Sequence, residues 1–355
     1  GNPKGVMLSH RNLMANVKQT AQLFKFTAHD LLLANLPPFH AFGLTVTYLL
    51  PLLERTPVLC HADPTDVVAG AKAIAKHKVT VMFGTSSFFR LYVQNNKVTP
   101  DLLASLTLLF AGAEKLQPAT YQSFLEKFGK EIYEGYGATE TAPVASANLP
   151  EMKRPAWLPT QTINKTGSVG LPLPGTTYRI VDQETFVTLP TACAGMVLIG
   201  GPQIMQGYLM HPEQTQFALR NIDGQMWYVT GDKGYLDADG FLFILDRYSR
   251  FAKIGGEMIG LGTVEHAIRQ AMENPDLDIL VINLPDDRKG EKLIALSTIH
   301  VNPQLLRDRL LATGFKTLSL PSAYFTVEAI PKLGSGKTDF TAAKILAEAL
   351  CAADQ

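Results

Sequence analysis

The sequence predicts an α/β fold: a large α/β domain carrying a β-rich subdomain, then a small carboxy-terminal α/β domain. Three observations point to it. Short apolar runs alternate with helical patterns over residues 31–128, as in parallel strands joined by crossover helices. After about residue 166 the chain changes to short strand-like runs separated by Gly, Pro and Asp. From Phe251 onward strands and helices alternate again, over a length sufficient for an independent domain.

In order along the chain, Ser9 caps a helix whose apolar face carries Leu13, Val17 and Phe24. LLLANL (31–36) and TPVLC (56–60) read as strands, followed by a helix from near Pro64 to near Lys78. VTVMF (79–83), LTLLF (106–110) and EIYEG (131–135) are further strands, with a helix at 117–128 between the last two. Leu31 to Leu53 holds no Asp, Glu, Lys or Arg. Pro37, Pro38 and Pro51 interrupt it, so it reads as a buried strand, a turn and a buried helix rather than a membrane span. The proline-rich stretch 149–166 reads as a surface loop. TTYRIV, GMVLIG, MWYVTGD and GFLFILD are the strands of a β-rich subdomain over about 167–246. Beyond it come a helix at 264–272, strands at 277–283 and 293–300, a helix at 303–313, a strand at 323–327 and a helix at 340–350. The expected domains are 1–246 and a mobile 247–355.

The composition, 46% hydrophobic with 32 basic and 32 acidic residues, is that of a soluble globular protein and lacks the basic excess of a general nucleic-acid binder. Cys60, Cys193 and Cys351 are odd in number, scattered and without metal-ligand spacing, which points to a reducing compartment. No secretory leader is visible, and the chain opens on Gly1-Asn2-Pro3-Lys4, inside a turn. The expectation is a fragment of a longer protein.

YEGYGATETAP (133–143) is the most informative run. Tyr136 offers a flat face to a base, Gly137 a close backbone approach, Thr139 a hydroxyl to a phosphate, and Glu140 a hard oxygen to Mg²⁺. An ordinary turn with a surface Glu is the competing explanation. AGAEKL (111–116) follows an apolar strand, where ligands bind in open parallel sheets, and Gly112, Ala113 and Glu114 could flank a base there. A plain strand-to-helix turn would look the same. Asp232 in VTGDKG could accept both ribose hydroxyls, or only stabilise its own turn. Arg247 suits sugar and phosphate oxygens, though it and Lys253 could equally be a solvated basic linker. Lys337, in a Gly-Ser-Gly turn, could swing in as a point charge against a phosphate. His40 and Phe42 lie in the uncharged run PPFHAFGLTV. If this run lines a substrate pocket, the substrate tail is apolar; otherwise His40 is a satisfied core residue.

Three motif matches are set aside. LGSGKT lacks the leading Gly of a P-loop, since Pro331 stands there. His61 and Asp66 have the spacing of an acyltransferase pair, but Pro64 and Asp66 fit a helix start. DADG (237–240) lacks the rest of a calcium loop and reads as a hairpin turn.

Taken in order, GNPKGVMLSH, AGAEKL, EGYGATETAP, WYVTGDKG, DRYSRFAKIGGEM and LGSGKTDF resemble the adenylate-forming superfamily of acyl-CoA synthetases, luciferases and peptide-synthetase adenylation domains. The resemblance covers nearly the whole chain, beginning partway through the family's first phosphate loop. PPFHAFGLTV, FGTSSF, RFAKIGGEM and GSGKTDF are most similar to the acyl-acyl-carrier-protein synthetase half of the bifunctional Aas family, whose other half is a 2-acylglycerophosphoethanolamine acyltransferase.

The resemblance implies an adenylate-forming enzyme fold, truncated at its amino-terminal side, and ATP and Mg²⁺ as cofactors. It implies a fatty acid and acyl carrier protein as partners, with a lysophospholipid in the parent protein, which would sit on the cytoplasmic side of an inner membrane. Tyr136 would stack on adenine between Gly112, Ala113 and Glu114, Thr139 would meet the α-phosphate, and Glu140 would hold Mg²⁺. Asp232 and Arg247 would bind ribose. Lys337 would serve adenylation, Lys253 the thioester-forming step, and His40 would guard the acyl pocket. The chain departs from the family at Asp246, where Gly is usual, at the hinge position Arg250, and at Asp339-Phe340, where a basic residue is common before the last helix. A long-chain acyl-CoA synthetase, or a nucleotide- or acyl-binding fragment without turnover, are the alternatives. An amino-acid-activating domain is disfavoured because 37–47 holds no acidic residue.

Overall fold

A computed structural model describes residues 4–150, 162–255, 257–286, 288–333 and 338–353. The chain divides into two compact units, one ending at Leu245 and the other starting at Asp246.

The first unit is built on a seven-stranded sheet in the order Val58–Cys60, Leu32–Ala34, Val81–Gly84, Leu108–Ala111, Tyr133–Gly137, Val144–Ala147 and Leu171–Pro172. The first five strands are parallel. Each connection must return to the same end of the sheet, and the helical segment 41–54 and the helices Val67–His77, Ser86–Gln94 and Pro118–Phe128 make those crossings. Side chains alternate across the sheet, so the apolar strands feed two cores. Leu33, Met82 and Leu109 meet Phe89, Tyr92 and Phe124 on one face, and Leu32, Val81 and Phe110 meet Val46 and Phe24 on the other. Asp66 accepts from Ala69 N–H and caps the helix Val67–His77, the role its sequence position implies. The last two strands run antiparallel, which strand–helix alternation does not predict.

Two segments differ from their sequence patterns. The helix His10–Phe24 buries Val17, but its other buried residues are Asn12, Asn16, Gln19 and Thr20. Its inward stripe is therefore polar, and the donors and acceptors it meets explain why it can be. Asn12 Nδ2 donates to Pro202 O and Ile204 O, and Gln19 Nε2 to Pro174 O. The uncharged segment after Leu32–Ala34 forms a short helix Ala41–Gly43, a π-helical turn Leu44–Leu49 and a helix Leu50–Glu54. Pro51 has no N–H to offer the preceding turn and its ring crowds that turn's carbonyls, which favours the wider coil. Among the described residues no helix is long and apolar enough to cross a membrane.

A five-stranded antiparallel sheet follows, in the order Leu219–Ile222, Gln225–Leu236, Gly195–Gly200 and Thr177–Val181, with Leu242–Arg247 joined to Gln225–Leu236. Its core residues Ile180, Val197, Ile199 and Tyr228 pack with Ala145 and Tyr136 of the larger sheet. In the DADG turn, Lys165 holds both Asp237 and Asp239, consistent with a hairpin rather than a metal loop.

The second unit pairs Phe251–Ile254 with Glu257–Gly260 and holds a three-stranded sheet of Ile279–Asp286, Gly290–Ser297 and Ala323–Thr326. The helices Leu261–Ala271, Pro303–Ala312 and Phe340–Ala353 complete it. Arg250 lies 2.5 Å from Glu265, whose Oε1 also accepts Val281 N–H at 2.9 Å. Burial pushes the Glu265 carboxyl upward, and the Arg250 charge opposes that shift.

Candidate nucleotide site

The run 133–143 is a hairpin, not a loop. Tyr136 and Gly137 lie on the strand Tyr133–Gly137, the 3₁₀ turn is Thr139–Thr141, and Val144–Ala147 returns. A Cβ at Gly137 would fall 1.9 Å from Pro143 O, so only glycine admits this return path. Two residues hold the turn from outside. Asn16 accepts Val144 N–H at 3.1 Å and donates to Val144 O at 2.7 Å, and Thr45 donates to Ala142 O at 3.0 Å. Within it, Thr141 Oγ1 accepts Ala138 N–H and donates to Pro143 O. The result is a rigid turn that leaves Thr139 exposed and Glu140 half-buried.

Packing of the β-rich sheet on this hairpin brings Asp232 to Tyr136. The long strand Gln225–Leu236 passes through Gly231 at φ +76°, and Asp232 N–H donates to Thr230 Oγ1 at 2.9 Å. Asp232 is 3% exposed, and the Tyr136 hydroxyl, 96 residues away in sequence, donates to its Oδ2. Burial, then the Asp232 charge, hold that hydroxyl well above its ordinary range, so Tyr136 stays a proton donor at neutral pH.

The loop after Leu108–Ala111 is tied to both neighbouring strands. Gly112 N–H donates to Gly84 O at 3.1 Å, and Ala113 takes a left-handed φ of +69°. Glu114 Oε1 accepts Ser87 N–H, and Glu134 Oε1 accepts Leu116 N–H at 3.0 Å. Burial raises the Glu134 carboxyl from 4.5 to about 7, against the pull of that N–H and of Lys115. The Phe42 ring lies against Gly112, where a Cβ would come within 3.0 Å of Phe42 Cζ. His40 caps the short helix Ala41–Gly43, its Nδ1 accepting Phe42 N–H at 3.2 Å. The acyl-pocket candidates therefore border the nucleotide-loop candidates.

Glu140 is fixed through its backbone and its side chain. Its carbonyl accepts Met205 N–H at 2.9 Å, and its Oε1 accepts the Tyr208 hydroxyl at 2.7 Å. Among the described residues no three His, Cys, Asp or Glu side chains cluster as a metal cage. One half-buried carboxylate beside an exposed hydroxyl suits Mg²⁺, which keeps waters and takes most of its other oxygens from a nucleotide's phosphates.

Arg247 and Lys253 belong to the second unit. Both are exposed; Arg247 N–H donates to Asp246 Oδ1, and Lys253 N–H to Glu291 Oε2. Lys337 lies outside the described residues. Next to it, Thr338 bridges Lys332, and Asp339 Oδ1 accepts Thr341 and Ala342 N–H. Asp339 thus caps the helix Phe340–Ala353 and supplies its start where the family commonly has a basic residue.

Tyr208, Glu134, Thr45 and Asn16 support the site but do not stand out in the sequence. Glu134 and Thr45 had a nearby signal, since they sit inside the runs YEGYGATETAP and PPFHAFGLTV.

A family model described as AMP-binding enzyme matches residues 1–209. The long-chain-fatty-acid–CoA ligase of Bacillus subtilis (strain 168) is 32% identical over 346 residues, covering 95% of this chain and 58% of that protein. The enzyme of the same name from Salmonella typhimurium is 30% identical with the same coverage. The chain thus spans under two thirds of the length of these curated relatives. ATP-bound MatB from Rhodopseudomonas palustris matches with a TM-score of 0.83 at 26% identity, over 98% of this chain and 66% of that one. With its parallel sheet, β-rich subdomain and carboxy-terminal α/β unit, the fold is that of adenylate-forming enzymes, and the chain belongs to the AMP-binding enzyme family.

Proposed function

We propose that this chain carries the acyl-activating site of an acyl-acyl-carrier-protein synthetase of the Aas type. A fatty carboxylate oxygen attacks the α-phosphorus of ATP, the bond from that phosphorus to its bridging oxygen breaks, and pyrophosphate leaves. The thiol of acyl carrier protein then attacks the acyl carbon of the adenylate and AMP leaves. Neither step needs an enzyme nucleophile.

The observation that supports this reading is the contact between Tyr136 and Asp232, which joins a hydroxyl-and-carboxylate turn to a buried carboxylate from a distant strand. Tyr136, Gly137, Gly112, Ala113 and Glu114 would flank adenine. Asp232 would accept the ribose hydroxyls with help from Arg247, and Thr139 would donate to the α-phosphate. Glu140 would hold Mg²⁺, which offsets phosphate charge when bound. His40 and Phe42 would border the head of the acyl chain. A mobile domain 247–355 would present Lys337 for adenylation and Lys253 for thioester formation. In the parent protein the acyl group would go to a lysophospholipid at the cytoplasmic side of the inner membrane.

A second reading has coenzyme A as acceptor, and the Bacillus and Salmonella ligases favour it. Both readings are tested by ATP–pyrophosphate exchange with a long-chain fatty acid, followed by thioester formation on each thiol. Exchange is expected in the full-length parent protein, and Lys337→Ala should lower it about 100-fold or more, as removal of a charge-stabilising donor does. Undiminished exchange in that variant removes the role given to Lys337. Thioester on coenzyme A alone selects the second reading.

A further inference from the structure

We infer that Tyr208 is a positioning residue for Glu140, and that Lys4 tunes it from over the face of its ring. The inference rests on the proposed reading of Glu140 as the Mg²⁺ ligand and adds two residues from other parts of the chain.

Tyr208 is 5% exposed, and its backbone is held on both edges. Gly207–Tyr208 pairs antiparallel with Val6–Met7, Leu209 N–H donates to Gly5 O at 2.7 Å, and Tyr208 N–H donates to Thr215 Oγ1 at 2.8 Å. The same pairing carries Lys4 over the phenol, its Nζ 4.3 Å from the ring centroid. At the edge of the ring the hydroxyl donates to Glu140 Oε1 at 2.7 Å. Three segments separated by more than sixty residues thus meet at one phenol, the ammonium over its face and the carboxylate at its hydroxyl.

A free glutamate rotates about its terminal bonds and presents either oxygen. A buried phenol donating to one oxygen fixes the carboxylate plane and leaves the other oxygen for a cation, as outer partners do in metal sites generally. A cation over the ring draws electron density from the phenol and makes its hydroxyl a stronger donor. Lys4 lies in the PKG stretch, so the strand pairing that begins the chain acts on the metal-ligand candidate without touching it.

Calorimetric titration of ATP into the chain, with and without Mg²⁺, tests this. In the wild type Mg²⁺ should strengthen ATP binding. Tyr208→Phe keeps the ring in the core and under Lys4, and should cut that Mg²⁺-dependent gain about tenfold. Lys4→Gln, at an exposed position, should cut it about threefold. Glu140→Gln should abolish it, and adding Tyr208→Phe to Glu140→Gln should cost nothing more. A full Mg²⁺ gain in Tyr208→Phe, or additive losses in the double variant, overturns the inference while leaving Glu140 as ligand. A full gain in Glu140→Gln overturns the metal-ligand reading itself, and no ATP binding by the wild type overturns both. A merely structural role would weaken ATP binding equally with and without Mg²⁺, and that outcome also counts against the inference.

Discussion

Glu134 shows how one residue couples the nucleotide-loop candidate to pH. Its carboxylate accepts Leu116 N–H, and burial raises it from 4.5 to about 7. Below about 4.5 the folded and unfolded chains both hold the proton. As pH rises, the unfolded chain releases it first and the folded chain only near 7, so this residue's contribution is full in acid and is lost as pH approaches 7. Chemical denaturation should show this as a decline of about 1–3 kcal/mol across that window, and Glu134→Gln should flatten it. An unchanged slope in the variant would place the titration elsewhere. Tyr136, Asp232, Gly112 and Glu140 were legible as candidates because each residue type suits one part of a nucleotide. Glu134 and Tyr208 were not, because their roles come from partners at Leu116 and Glu140 that only folding supplies.

At the scale of elements, most strand and helix positions follow the hydrophobic period; the helices Ser86–Gln94 and Pro212–Ala218 were not read from it, and two further exceptions border the site. The helix His10–Phe24 reads as apolar at Leu13, Val17 and Phe24, yet its buried stripe is largely amide and hydroxyl. Polar side chains look solvent-facing in a sequence, and here they replace water at backbone groups of distant loops. Asn16→Leu would strip both hydrogen bonds from the Val144 backbone beside the site. The expected loss is about 2–4 kcal/mol of stability by denaturant unfolding, with a loosened 139–143 turn. A loss under about 0.5 kcal/mol would mean that other groups satisfy that backbone. The hairpin at 133–147 was missed for a related reason. Glycine, threonine and glutamate mark a turn in sequence, but only the Gly137 return against Pro143 makes it a pair of strands within the sheet.

At the scale of the molecule, the two units have separate cores. The second unit buries Ile254, Val264, Val281 and Leu306 on one side of its sheet and Leu280, Leu296, Ile330 and Ala347 on the other. A segment of residues 246–355 should therefore fold alone with a cooperative thermal transition, checked by calorimetry and near-ultraviolet dichroism; a broad, non-cooperative melt would show that it depends on the first unit. The sequence by itself determined the fold class and supplied the candidate residues, because periodicity, turn chemistry and residue type are local properties. Tertiary structure alone decided which candidates meet. Tyr136 reaches Asp232, Phe42 lies on Gly112, and Tyr208 holds Glu140 because sheets and hairpins pack across long sequence separations. Such contacts depend on strand register and packing, which no local window of residues specifies.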